Sequence, residues 1–189
     1  YGATNSIINT DDLSSPGGND YISINVSANS SWNWWDNNTA EKSTAFGLSN
    51  TLVDLGAGAD SLYLNANANG SGVLKAYGAT NSIINTDDLS SPGGDDYISI
   101  NASVYSSWNW WDNNTSEKST VFGLSNTLVD LGAGADSLHL NANANGSGVL
   151  KAYGATNTTI NTDDLSSPGG DDYISCLLYT SDAADEVDG

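Results

Sequence analysis

The chain has 189 residues, with 23 Asp and Glu against four Lys, and a formal net charge of −19. Four lysines cannot neutralise a phosphate track, so nucleic acid and anionic membrane surfaces are excluded as partners. Only 14% of residues are charged and 38% are hydrophobic, which suits one domain with a real core rather than a disordered polyelectrolyte.

From the N-terminus, Ile7-Ile8-Asn9-Thr10 reads as a short strand. A later copy of it, Thr159-Ile160, keeps only the second apolar position, which is therefore the inward one. The stretch from Asp12 to Pro16 and the pair Gly17-Gly18 then form a corner, where positive φ is cheap. Ile22, Ile24, Val26 and Ala28 alternate with Ser23, Asn25, Ser27 and Asn29, the pattern of a half-buried strand. After it come Trp32, Trp34 and Trp35, set among Asn33, Asp36, Asn37 and Asn38. Phe46-Gly47 opens a second unit, with a short strand at Leu52 to Leu55 and a Gly-rich turn. Leu62, Leu64, Ala66 and Ala68 then alternate with Tyr63, Asn65, Asn67 and Asn69. Nothing supports a helix of useful length.

At Tyr77 the pattern starts again, and at Tyr153 once more, a period of 76 residues. The first two copies differ at seven positions. Two of these look coupled: Val26 becomes Ala102 while Ala28 becomes Val104, a swap that conserves volume if both face one packed interior. Within each copy an aromatic-Gly step recurs at Tyr1, Phe46, Tyr77, Phe122 and Tyr153, spaced 45, 31, 45 and 31. The column Asn5, Asn50, Asn81, Asn126, Asn157 follows the same spacing and reads as an amide ladder at a corner. The basic unit is thus about 31 residues, with insertions in alternate units. Two or three short strands per unit, repeated at constant length, stack best as a parallel β-solenoid. The expected fold is all-β, β-helix- or β-roll-like, with about four and a half coils over residues 1–175.

The chemistry concentrates in one motif. Leu55 to Tyr63 and Leu131 to His139 match the G-G-x-G-x-D-x-U-x repeat at every defined position except the first. Partial versions run from Gly17 to Ile22, Gly93 to Ile98 and Gly169 to Ile174. These segments resemble the repeats-in-toxin, or haemolysin-type, calcium-binding family, and the wider cadence is similar to long repeat arrays of bacterial surface adhesins. The resemblance implies calcium at Asp20, Asp60, Asp96, Asp136 and Asp172. In that family, however, nonapeptides follow one another directly, whereas these Asp residues are spaced 40, 36, 40 and 36, one per coil. Stacked carboxylates about 4.8 Å apart repel by roughly 3–4 kcal/mol at an effective dielectric of 20. A cation or neighbouring backbone N–H groups must offset that repulsion. Calcium bridging and Asp as a turn former both fit the pattern.

Trp32, Trp34, Trp35, Trp108, Trp110 and Trp111 lie in polar surroundings where a core has no use for them. They suit stacking on sugar rings, or else a lid over the solenoid. Catalysis is not expected: His139 is the only His, and no Ser-His-Asp set or zinc-ligand cluster occurs. After Ser175 the repeat demands Ile-Asn, but Cys176-Leu177-Leu178-Tyr179 follows. Residues 176–189 resemble the frame translation of a transposon-type sequencing adapter and carry the only Cys, so they read as a non-native tail. A Cys-free acidic array fits an extracellular or cell-surface setting. No apolar run approaches the roughly 18–20 residues of a membrane helix, so no membrane insertion is expected. The first residue is Tyr1, which reads as a monomeric piece of a longer chain, open to end-to-end association through its raw edges. The function implied is a structural or adhesive repeat segment, calcium-stabilised, with a glycan or cell-surface ligand. The alternative is a carbohydrate- or ice-binding module using Asn/Ser/Thr faces and the Trp loops.

Overall fold

Period-two alternation needs a buried face and an exposed one, and a coil of three strands around a shared interior supplies both. The computed structural model describes residues 1–10, 18–30, 42–70, 73–86, 94–106, 118–146, 149–162 and 171–182. Its first coil contains β1 (Ala3–Thr4), β2 (Ile7–Asn9) and β3 (Tyr21–Asn29). The second contains β4 (Lys42–Ser49), β5 (Leu52–Asp54) and β6 (Ser61–Gly70). The third contains β7 (Val73–Thr80), β8 (Ile83–Asn85) and β9 (Tyr97–Ser106). Coil four is β10 (Lys118–Ser125), β11 (Leu128–Asp130) and β12 (Ser137–Gly146). Coil five is β13 (Val149–Thr156), β14 (Thr159–Asn161) and β15 (Tyr173–Asp182).

Equivalent strands of successive coils pair in parallel, giving three five-stranded sheets. Sheet A is β1-β4-β7-β10-β13, sheet B is β2-β5-β8-β11-β14, and sheet C is β3-β6-β9-β12-β15. The chain is a parallel β-solenoid. Between sheets A and B the chain turns at Asn5, Asn50, Asn81, Asn126 and Asn157, all with φ of 48–50°. Asn tolerates this left-handed conformation better than other non-Gly residues, and the Asn126 amide donates to Asn81 Oδ1 at 3.2 Å.

The interior is wedge-shaped in composition. Against the short sheet B it is filled by large side chains such as Leu48, Val53, Leu62, Ile84, Ile98 and Leu124, all fully buried. Where the start of sheet A meets the end of sheet C it is filled mainly by Ala45, Ala66, Ala68, Ala76, Ala102, Ala142 and Ala144. Small side chains let two sheets approach closely, so the taper follows from the Asn-Ala-Asn-Ala runs themselves. Val26, Ala102 and Val104 lie in this narrow part, facing inward on β3 and β9, as the coupled swap requires.

The described residues form five three-stranded coils, the first opening on the two-residue β1 and the last completed by residues beyond 175, so residues 1–175 hold about the four and a half coils expected. The ladder does not stop at Ser175, because β15 continues through Asp182 and pairs with β12 from Ser137↔Tyr173 to Gly146↔Asp182. Parallel pairing asks only for extended backbone, so the strand persists where the repeat does not. The side chains register the change: Leu177 occupies the row of Asn25, Asn65, Asn101 and Asn141, and is 63% exposed.

Candidate functional site

The Gly-rich turn between sheets B and C brings the five motif aspartates into one column. Gly58 and Gly134 adopt φ of 142° and 153°, and a Cβ on either would meet the backbone oxygen of Gly18 or Gly94 in the preceding coil. Only glycine allows this close stacking, which directs the following Asp60 and Asp136 into the interior. Asp60, Asp96 and Asp136 are 1%, 2% and 0% exposed.

The column is a hydrogen-bonded ladder. The Asp20 N–H donates to Asp60 Oδ1 at 2.7 Å, and the Asp60 N–H to Asp96 Oδ1 at 2.7 Å. The Asp96 N–H donates to Asp136 Oδ1 at 2.8 Å, and the Asp136 N–H to Asp172 Oδ1 at 3.0 Å. From Asp60 to Asp172, each carboxylate thus accepts from the backbone of the coil before it. Burial pushes the Asp96 carboxyl up to about 8, although hydrogen bonds from the Asp60 N–H and the Thr86 side chain oppose the rise. The neighbouring Asp136 and Asp60 charges add to it.

Spacing therefore identified the residues that meet: Asp20, Asp60, Asp96, Asp136 and Asp172 form one axial row. Among the described residues, the oxygens at each rung are fewer than calcium takes. Ca²⁺ takes six to eight oxygens from several carboxylates, carbonyls and waters. Here each rung offers one carboxylate, with one oxygen engaged by a backbone N–H and the three central groups out of solvent. Among the described residues, no three His, Cys, Asp or Glu side chains gather. Thermal unfolding in EDTA, Ca²⁺ and Mg²⁺ at constant ionic strength is expected to give coincident curves. A rise with Ca²⁺ alone would restore the bridging reading, since ligand binding to the native state must raise stability.

The outer faces carry their own ladders. On sheet C the Asn65 amide donates to Asn25 Oδ1 at 2.7 Å, and the Asn101 amide to Asn65 Oδ1 at 3.1 Å. On the same face Tyr21, Tyr63, Tyr97, His139 and Tyr173 form a zigzag with centroids 5.1–5.5 Å apart. On sheet A the aromatic-Gly steps become a stack: Tyr1, Phe46, Tyr77, Phe122 and Tyr153 lie 4.9–5.0 Å apart with interplanar angles of 6–11°. Burial within the stack raises the Tyr77 phenol above its ordinary value. The 45/31 spacing is visible in the sequence, but the stacking, and the strands that carry it, are not. The candidate sugar-stacking residues Trp32, Trp34, Trp35, Trp108, Trp110 and Trp111 lie outside the described residues.

No protein-family model matches the chain, and neither a curated protein nor a solved structure is detectably similar to it. Its fold and ladders define it as a β-solenoid repeat protein.

Proposed function

We propose that the chain is a structural and adhesive repeat segment of a secreted or cell-surface bacterial protein. The observation that supports this most directly is the axial continuity of the ladders. The Asp, Asn and aromatic columns run from coil to coil in one register, so each coil adds about 4.8 Å of height at constant cross-section. A segment of this kind extends a chain by copying, and nearest-neighbour contacts let its length change without redesign. The acidic, Asn- and Ser-rich surface and the adhesin-like cadence favour an extracellular setting. In sequence, the two WNWW segments fall between β3 and β4 and between β9 and β10, 76 residues apart.

The test has two arms. Small-angle scattering of the chain with one added 76-residue repeat should show a rod about 10 Å longer with an unchanged cross-section. Binding to a glycan panel should fall when Trp32 and Trp108 are both replaced by Ala. A cross-section that grows with the added repeat would sink the extension role. Glycan binding that ignores the Trp pair would sink the adhesive one, and inhibition of ice growth in its place would favour the ice-binding alternative.

A further inference from the structure

Sheet C presents a face without charge. Its strands β3, β6, β9 and β12 contain no Asp, Glu, Lys or Arg, in a chain whose formal net charge is −19. The other two sheets do carry charge among their described residues, Lys75 and Lys151 on sheet A and Asp54 and Asp130 on sheet B. What the outward positions of sheet C offer instead is chiefly Tyr, Ser and Asn.

The register sets these residues in rows. One row runs Tyr21, Ser61, Tyr97, Ser137, Tyr173, and the next, two residues along the strands, runs Ser23, Tyr63, Ser99, His139, Ser175. Every coil thus contributes one ring, taken alternately from the two rows, with a rise of about 4.8 Å per coil. Where the first two copies of the repeat differ here, Tyr63 against His139, the substitution keeps a planar ring. Neighbouring rings are tilted by 37–49°, so none is sandwiched flat as the rings of the sheet A stack are. Tyr63, Tyr97 and His139 are half-buried and Tyr21 and Tyr173 exposed, so the zigzag reaches solvent along its length. The third row is the amide ladder of Asn25, Asn65, Asn101 and Asn141. An amide has two N–H groups and an oxygen with two lone pairs. Asn65 donates once, to Asn25, and accepts once, from Asn101, which leaves it one N–H and one lone pair.

We propose that sheet C is the binding face for an uncharged, linear, β-linked glucan laid along the solenoid axis, its sugars on the ring zigzag and its hydroxyls on the amide ladder. Charge decides the class of ligand. A polyanion is repelled by the −19 of the chain, and a cation is drawn to the acids, which lie off this face. Tyr supplies rigid amphipathic contact area at low entropic cost, and Ser and Asn supply adaptable hydrogen bonds. A sugar presents the matching surface, apolar C–H patches ringed by hydroxyls, and aromatic rings with one apolar side and one polar tip suit it. Shape decides the linkage. An extended sheet face matches a ribbon-like chain, whereas an α-linked glucan coils away from it. An extended β-linked sugar is about as long as one coil is high, and successive sugars of a two-fold ribbon are turned over. One ring per coil, alternating between two rows, is the complementary arrangement. A second copy of the chain is a poorer occupant, since it brings a net charge of −19 of its own.

This names a ligand class for the adhesive role proposed above and rests on that reading. The probes are the series from cellobiose to cellopentaose, with maltopentaose and polygalacturonate as comparators, titrated calorimetrically into the whole chain. Affinity is expected to rise with each added sugar of the β-linked series, with both comparators roughly tenfold weaker or worse. The double variant Tyr63→Ser/Tyr97→Ser should lose about tenfold for cellopentaose. Tyr63→Phe/Tyr97→Phe should retain the affinity, because the ring and not the phenol covers the sugar. Serine already occupies both rows in the adjoining coils, at Ser23, Ser61, Ser99 and Ser137, so the serine pair suits the sheet, and its melting temperature checks the fold. In the unaltered chain, cellopentaose should also shield Tyr63 from nitration by tetranitromethane, a readout that needs no variant. Equal binding of maltopentaose, an unshielded Tyr63, or no effect of the serine pair would overturn the face while leaving the adhesive role standing. If no glycan binds and the Trp pair has no glycan phenotype, both readings fall. Inhibition of ice growth abolished by the serine pair, without glycan binding, would assign the face to ice instead.

Discussion

Gly78→Ala is expected to destabilise the solenoid by about 3 kcal/mol, the upper end of ordinary overpacking. Gly78 belongs to the glycine column beside the aromatic stack, at the point where sheet A bends toward the Asn corner. A Cβ there would meet the Ile100 side chain across the interior and the Gly123 carbonyl oxygen in the next coil. The side chain could move, but the carbonyl belongs to a parallel ladder and cannot move without breaking its neighbours. A thermal melt should therefore fall by roughly 10 °C for a chain of this size. Adding Ile100→Val should recover only part of the loss, because it relieves the contact with the side chain and leaves the one with the backbone. Gly18→Ala is the control, since a Cβ there meets nothing within 4 Å. A melting temperature for Gly78→Ala within a degree of the parent would show that the coil spacing is softer than its ladders imply.

The same glycine column explains what the sequence concealed. Sheets B and C were legible because their residues alternate without interruption: Leu62, Leu64 and Ala66 inward, Tyr63, Asn65 and Asn67 outward. The strands of sheet A were not, although they supply Ala45, Leu74, Ala76 and Val121 to the narrow core. Along β7 the inward residues are Leu74, Ala76, Gly78 and then Ala79, so two consecutive residues face in and the period of two fails at the bend. The pairing shows the same step, with Phe46↔Tyr77 followed by Leu48↔Ala79 and no Gly47↔Gly78 pair. The residue pattern therefore marks this segment as the start of a unit rather than as a strand. The Asp column was legible as a column, because spacing alone puts equivalent residues in register. What offsets its charge was not, since a cation and a backbone N–H make the same demand on a sequence. The continuation of β15 past Ser175 was invisible for a different reason: side-chain pattern reports burial, whereas edge pairing depends on the backbone.

The second large effect concerns protons. Asp96 is pushed up to about 8 from an ordinary 3.8, chiefly because it is buried. Between those values the native chain keeps a proton on Asp96 that the unfolded chain releases. Stability from this group is therefore complete below about pH 4 and is lost as pH rises through about 8. Exposed carboxylates are already ionised by pH 6, so the part of a fall in stability from pH 6 to 8 that a neutral side chain at position 96 removes reports the buried acid. Asp96→Asn should flatten it. The amide oxygen can still accept from the Asp60 N–H, and the neutral side chain imitates the protonated acid without the cost of ionising in the interior. A tenfold change in proton affinity corresponds to about 1.4 kcal/mol. Allowing for relaxation and water entry when the carboxylate does ionise, the variant should exceed the parent by about 2 kcal/mol at pH 8, roughly 5 °C in melting temperature. At pH 4.5 the two should melt together. Asp95→Asn, one residue away on the exposed side of the turn, should leave the pH profile unchanged. Parallel profiles for Asp96→Asn and the parent from pH 5 to 8 would show that the rung stays ionised, held by its hydrogen bonds alone.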